Sequence, residues 1–161
     1  MTITIRIARA EDEAALAKID ERTWTSVVSP APPPPPGTPF FGEDAAPADF
    51  LVAEHDGVVA GYVRLAEGFG IPAHSHVLVI GGLAVAPDRQ RLGIGRQLVD
   101  AAVAAARQRG ARKLTLRVLG HNTGARRIYE RCGFVTEGVL RGEFRIGGQD
   151  VDDVLMAHSL A

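Results

Sequence analysis

Apolar and polar positions alternate over Thr2–Ala8, with Ile3, Ile5 and Ile7 on one side and Thr4 and Arg6 on the other. A period of two predicts a strand with one buried face. Acids then cluster at Glu11, Asp12 and Glu13, followed by Ala14, Leu16, Ala17, Ile19 and Asp20. Acids complement the positive end of a helix dipole, so a helix is expected from there toward Trp24. Phe50–His55 and Val58–Glu67 are two apolar runs around Asp56-Gly57, the signature of a tight hairpin. Val77–Val85 is almost continuously apolar and reads as a central strand covered on both faces. From Gly93 to Arg109 the period lengthens: Leu98, Ala102, Ala105 and Ala106 share one helical face, and Gly110 stops it. Lys113–Val118 is a further strand, Asn122–Arg131 a short helix ended by Gly133, and Phe134–Leu140 and Val151–Leu160 two closing strands.

The order is strand, helix, an irregular segment, three strands, helix, strand, helix and two strands. A helix between the Val77 and Lys113 strands implies a right-handed crossover with those strands parallel. The class is α/β or α+β, a mixed sheet with helices on both faces, in one domain spanning residues 1–161. The irregular segment is dominated by Pro30–Pro39, which holds seven of the ten prolines. Such a run cannot enter a helix or a sheet interior. It is either a stiff surface loop or the rim of a binding site.

Composition narrows the setting. With 161 residues, 46% hydrophobic and 23% charged, the chain suits one globular domain. A net charge of −1 carries no basic excess for nucleic acid. The single cysteine, Cys132, excludes an internal disulfide framework and a cysteine-cluster metal site. The longest apolar stretch, Val77–Pro87, is shorter than the roughly 20 residues a spanning helix needs. With no leader-like N-terminus, a cytoplasmic protein with no membrane partner and no metal is expected.

The chemistry concentrates between Leu83 and Gly95, Leu-Ala-Val-Ala-Pro-Asp-Arg-Gln-Arg-Leu-Gly-Ile-Gly. A strand ends, an arginine-rich turn follows, and two glycines open a helix. Free amides and the dipole make that opening an anion site. Gly93 and Gly95 leave the amides uncovered, and Arg89, Arg91 and Arg96 surround them. The phosphate-loop pattern fails for want of Gly-Lys-Ser/Thr, and the dinucleotide pattern for want of a third glycine.

Gln90-Arg91-Leu92-Gly93-Ile94-Gly95, followed downstream by Asn122-Thr123-Gly124-Ala125 and Tyr129 through Gly133-Phe134, resembles the GNAT superfamily of acetyl-CoA-dependent N-acetyltransferases. The resemblance runs over most of the chain. It implies a mostly antiparallel sheet of about seven strands with a splayed central parallel pair. It implies acetyl-CoA as co-substrate, its pyrophosphate on the amides of Arg91, Leu92, Gly93, Ile94, Gly95 and Arg96, with Gln90 alongside. The main chain of Leu83, Ala84 and Val85 is expected along the pantetheine arm, the Leu83 amide on the thioester carbonyl. Asn122 and Ala125 are expected on that arm, and Tyr129 beside the sulfur as general acid. Many family members carry a glutamate on the central strand, whereas this chain reads Val79-Ile80-Gly81-Gly82-Leu83. His76 is the first candidate base, with His74, Glu67 and Glu54 behind it, unless the amine arrives neutral.

Cys132, at a helix C-terminus, faces the negative end of the dipole and reads as a buried core residue, so direct transfer in a ternary complex is expected. Trp24, Phe40, Phe41, Arg141 and Phe144 are candidates for the acceptor side. The acceptor is expected to be a small amine or amino acid. The alternatives are a protein N-terminus or lysine, or a CoA-binding sensory module without turnover. An edge strand near the C-terminus suits a homodimer. Charge is segregated: residues 89–131 hold eleven basic and two acidic groups, a net of +9, and the remainder nets −10. The basic part coincides with the expected CoA site, and the acidic part suits an incoming amine.

Overall fold

A computed structural model describes residues 2–161. Their seven strands form one sheet in the order β1-β2-β3-β4-β5-β7-β6. These are β1 (Ile3–Ile7), β2 (Phe50–His55), β3 (Val58–Glu67), β4 (Val77–Val85), β5 (Lys113–Leu119), β6 (Val135–Ile146) and β7 (Gln149–Ser159). Neighbours are antiparallel except β4 and β5, which run parallel, as a helical crossover demands. The helices are α1 (Glu13–Thr23), α2 (Ile94–Gln108) and α3 (Thr123–Arg131). None is long and apolar enough to cross a membrane.

The period-two pattern explains why the sheet has a helix on each face. Ala53, Val63 and Leu65 turn to one side and join Leu98, Val99, Ala102 and Ala106 of α2 in the main core. Val52 and Tyr62 turn to the other side, where Leu16 and Ile19 of α1 cover them with Phe50. Leu98 is completely buried, and cutting it to alanine costs roughly 2–5 kcal/mol of stability.

Two expectations change. β4 is not covered along its whole length: Val77, Leu78 and Ile80 are buried, but Gly81 is exposed and Gly82–Val85 are half-exposed, because the second half borders a cleft. The closing strands are one long hairpin. β6 continues past Leu140 to Ile146 and turns at Gly147-Gly148, whose φ angles of +58° and +78° give the two-residue turn that matches strand twist. Pro30–Pro39 forms neither helix nor strand and is exposed.

Candidate active site

β4 and β5 pair at only three positions, Val77↔Lys113, Leu78↔Leu114 and Val79↔Thr115. Beyond them the strands part, and a notch opens between their C-terminal halves. Gly81 stands as an extra residue opposite the Arg64–Leu65 step of β3, a bulge that bends β4 at this point. The Ala86 amide donates to Ala60 O, 2.7 Å, on the β3 side. Main-chain groups alternate sides along a strand, so those of Leu83 and Val85 face the notch. The Val85 carbonyl accordingly accepts from Gln90 Nε2 at 3.1 Å.

The notch leads to the start of α2. Two left-handed residues shape the turn: Arg91 at φ +63° and Gly93 at φ +82°. Such a conformation at a non-glycine residue costs of order 1–3 kcal/mol and marks functional turns. Space around Gly93 is open, with nothing within 4 Å of a Cβ placed there. A Cβ at Gly95 would meet Ile128 Cδ1 at 3.2 Å, so this glycine also lets α2 sit close on α3. The first α2 amide bonded to a preceding carbonyl is Gln97 N, to Gly93 O, 3.1 Å. The earlier amides and the positive end of the dipole face the cleft mouth. Arg91, Arg96 and Arg131 line it. Arg89 borders it too, but its Nη1 lies 2.7 Å from His55 Nδ1 and also donates to His55 O.

On α3, Asn122 caps the helix, accepting from Ala125 N at 3.2 Å, and both residues line the cleft. The Tyr129 ring is buried, edge-on to Phe134 at 5.7 Å, in the main core. Burial pushes its hydroxyl up from the ordinary value, so it stays protonated at neutral pH. Burial also pushes the Cys132 thiol up to about 12, an inert state for a nucleophile.

The cleft has a volume of about 1070 Å³. At its other end, on the α1 face of the sheet, Asp20 accepts a hydrogen bond from Tyr62 Oη. Burial raises the Asp20 carboxyl above its ordinary range, against the opposing effect of that bond. A Cβ at Gly82 would lie 3.6 Å from Tyr62 Cε2 and 3.9 Å from its hydroxyl, so the pair stands over the bend of β4. Trp24, Val27 and Val28 make the apolar wall. Trp24 Nε1 donates to Ala31 O at 3.0 Å. His121 Nε2 lies 2.9 Å from Ser26 O, tying the segment after α1 to the turn before α3.

A model of the acetyltransferase (GNAT) family matches residues 14–134. The chain belongs to the GNAT acetyltransferase family. It is 30% identical to the phosphinothricin N-acetyltransferase of Alcaligenes faecalis over 98% of this chain and 82% of that one. It is 37% identical to the streptothricin acetyltransferase of Streptomyces lavendulae over 61% of this chain and 50% of that one. The chain spans about half the length of several curated relatives it matches, 50% to 60%. The solved structure of a GNAT superfamily phosphinothricin acetyltransferase from Sinorhizobium meliloti, in complex with acetyl-CoA, has the same fold. Its TM-score is 0.82 at 20% identity, covering 100% of this chain and 90% of that one.

In this GNAT chain the residues expected at the cofactor end come together, but not all those expected elsewhere do. Leu83–Val85, Gln90, Arg91, Gly93–Arg96, Asn122 and Ala125 line one cleft with Trp24. Leu92 is on the same turn, pointing to solvent, and Tyr129 lies behind the cleft wall. His76 is exposed at the start of β4, seven residues from Leu83, roughly 23 Å along an extended strand. Its place in the chain beside the central strand put it at the wrong end. Glu54 is bonded to Arg6 Nε at 2.9 Å on the far strands, and Glu67 and His74 line a separate cavity of about 770 Å³. Phe40 and Phe41 pack against Phe50 in the second core, their amides donating to the Glu13 carboxylate. Phe40 stands edge-on to Tyr62 at 5.1 Å, so it supports the site from behind. Arg141 and Phe144 belong to β6, the far edge of the sheet, and do not line the cleft. The proline run does not line it either; the lining comes from Trp24, Thr25, Val27, Val28 and Ser29 before it. Asp20 was expected only as a residue of the first helix, and Tyr62 only within a strand, neither with a role in the site. The available signal was an acid four residues after buried Leu16 and one after buried Ile19, at the margin of the covered helix face.

Proposed function

We propose that this chain, one domain over residues 1–161, moves an acetyl group from acetyl-CoA to a small primary amine by direct transfer in a ternary complex. The observation that carries the reading is the continuity of the cleft. Main chain at Leu83 and Val85 that pairs with no residue of β5 runs into a turn of free amides flanked by Arg91 and Arg96. That sequence of groups suits a pantetheine arm laid along β4 as an added strand and a pyrophosphate on the α2 amides. The names of the two relatives point the same way.

The residues then take distinct roles. The amides of Arg91–Arg96 hold the pyrophosphate. The Leu83 amide stabilises the oxyanion formed when an amine nitrogen attacks the thioester carbon. Tyr129, protonated at neutral pH and next on α3 to the cleft-lining Ile128, takes the role of proton donor to the departing sulfur, which requires its hydroxyl to reach through the cleft wall. A cysteine intermediate is unsuited, since Cys132 is buried and held as a thiol. The tie between Ser26 and His121 links the segment after α1 to the turn before α3, beside the cleft-lining Val27 and Asn122, and favours a small amine over a polypeptide. The reading is tested by following thiol release from acetyl-CoA across a panel of primary amines. Acceleration by at least one small amine is expected. Binding of acetyl-CoA without acceleration by any amine would make the chain a non-catalytic CoA binder.

A further inference from the structure

On the reading just given, one step lacks an agent: an amine that is an ammonium ion at neutral pH must lose a proton before it can attack. β4 holds no titratable side chain, being Val77-Leu78-Val79-Ile80-Gly81-Gly82-Leu83-Ala84-Val85. The cleft is lined by five arginines, Arg22, Arg89, Arg91, Arg96 and Arg131, all cations. Among the described residues that line it there is one carboxylate, Asp20, and no histidine.

The position of Asp20 follows from the fold. α1 packs on β3 and β4 across the face opposite α2. The cofactor end of the cleft therefore belongs to α2 and α3, and the Asp20 end to α1. Tyr62 Oη fixes Asp20 Oδ1, and Tyr62 is itself held against Phe40 and Phe50. The carboxylate is thus oriented by a rigid neighbour, with Oδ2 making no hydrogen bond to a described residue. Gly82 contributes no side chain, which leaves the space between the β4 main chain and the Tyr62 hydroxyl clear.

We propose that Asp20 is the group that binds the acceptor as an ammonium ion and takes its proton, with Tyr62 as the residue that positions it. The ammonium gives one proton to Asp20. The neutral nitrogen forms the C–N bond, the C–S bond breaks, and the nitrogen loses its second proton as the sulfur gains one. Asp20 returns its proton to solvent. The products are an N-acetyl amine, CoA as free thiol and one proton. The acceptor class is therefore a primary amine that is cationic at neutral pH, entering along Trp24, Val27 and Val28.

The test compares the wild-type protein with Asp20→Asn, using the aliphatic amine that gives the fastest thiol release. Asparagine keeps an acceptor for Tyr62. The titratable or charged groups on the elements packed there are Tyr62, Arg64 and, at its far end, Glu67 from β3, and Glu13, Lys18, Glu21 and Arg22 along α1; β4 offers none. At pH 7 the variant is expected to lose at least 100-fold in kcat/KM, within the range of general-base catalysis. Acetyl-CoA affinity, read by calorimetry, is expected to stay within about twofold. The loss should shrink as pH rises toward the amine's own pKa, near 10, where free amine forms unaided. Activity within about fivefold of wild type at pH 7, or a loss equal at every pH, overturns the assignment. Should the wild-type protein accelerate thiol release with no amine, it is the acetyltransferase reading that fails, before Asp20 is reached.

Discussion

The two ends of the cleft are built by different means. The cofactor end is made of main chain: the edge of Leu83 and Val85 that β5 does not pair, the turn through Arg91 and Gly93, and the first amides of α2. These groups are neighbours in sequence, and glycines mark where backbone must be bare. The acceptor end is made of side chains from separate elements. Asp20 lies on α1, Tyr62 on β3 forty-two residues later, and Trp24 just past the helix end. A backbone cradle suits a ligand common to a whole family. Side chains converging from different elements can change one at a time and suit an acceptor that differs between relatives.

The sharpest way to break this contrast is to disturb the cradle alone. Gly93→Val puts a branched side chain at φ +82°, in the open space where phosphate is expected. We expect acetyl-CoA affinity to fall about 100-fold or more, equivalent to at least roughly 2.7 kcal/mol, in a calorimetric titration. An unchanged affinity would remove the cradle from the cofactor site. Next comes Tyr129→Phe, which keeps the ring against Phe134 and removes only the hydroxyl. It should lower kcat by about 10- to 100-fold with little change in acetyl-CoA affinity. Steady-state kinetics with a fixed amine separates the two effects.

Smaller still is Trp24→Ala, confined to the apolar wall of the acceptor end. It should raise the KM for the amine about five- to tenfold and leave the KM for acetyl-CoA alone. A matching rise for acetyl-CoA would mean that the two ends are not separable.

The smallest effect concerns stability. Burial raises the folded-state pKa of Asp20 above its unfolded value of about 3.9, so folding favours the protonated form. Its ionisation opposes folding once pH passes above the unfolded value, and in full above the raised one. Asp20→Asn carries no such cost. Its melting temperature should equal or exceed wild type by a few degrees at pH 7, and the gain should vanish below about pH 4. A variant less stable than wild type at pH 7 would make Asp20 a structural residue.

The same contrast explains what could be read from the chain. Seven strands, three helices and the parallel pair followed from period and order, because each element carries its own pattern. The α2 opening was legible because a run of consecutive residues forms it. Asn122 was legible as a cap and also borders the cleft. His76 misled because adjacency in sequence to β4 says nothing about which end of an extended strand matters. Asp20 was hidden because its significance lies in meeting Tyr62 across the fold, and helix periodicity alone makes it a margin residue. Phe40 and Phe41 carried the right chemistry for a pocket wall, but the neighbouring Phe50 and Tyr62 draw them into a second core. The glycine pair at Gly147-Gly148 held the hairpin signal, yet the alternation on β6 is blurred by its exposure on both faces of the sheet edge.

The most direct measurement is a crystal structure of the protein with acetyl-CoA. The pyrophosphate is expected on the amides of Arg91–Arg96 and the thioester carbonyl within hydrogen-bonding distance of the Leu83 amide. The acetyl group should lie on the side of β4 that faces Asp20 and Tyr62. A cofactor bound outside the notch between β4 and β5, or a thioester turned away from Leu83, would contradict that placement.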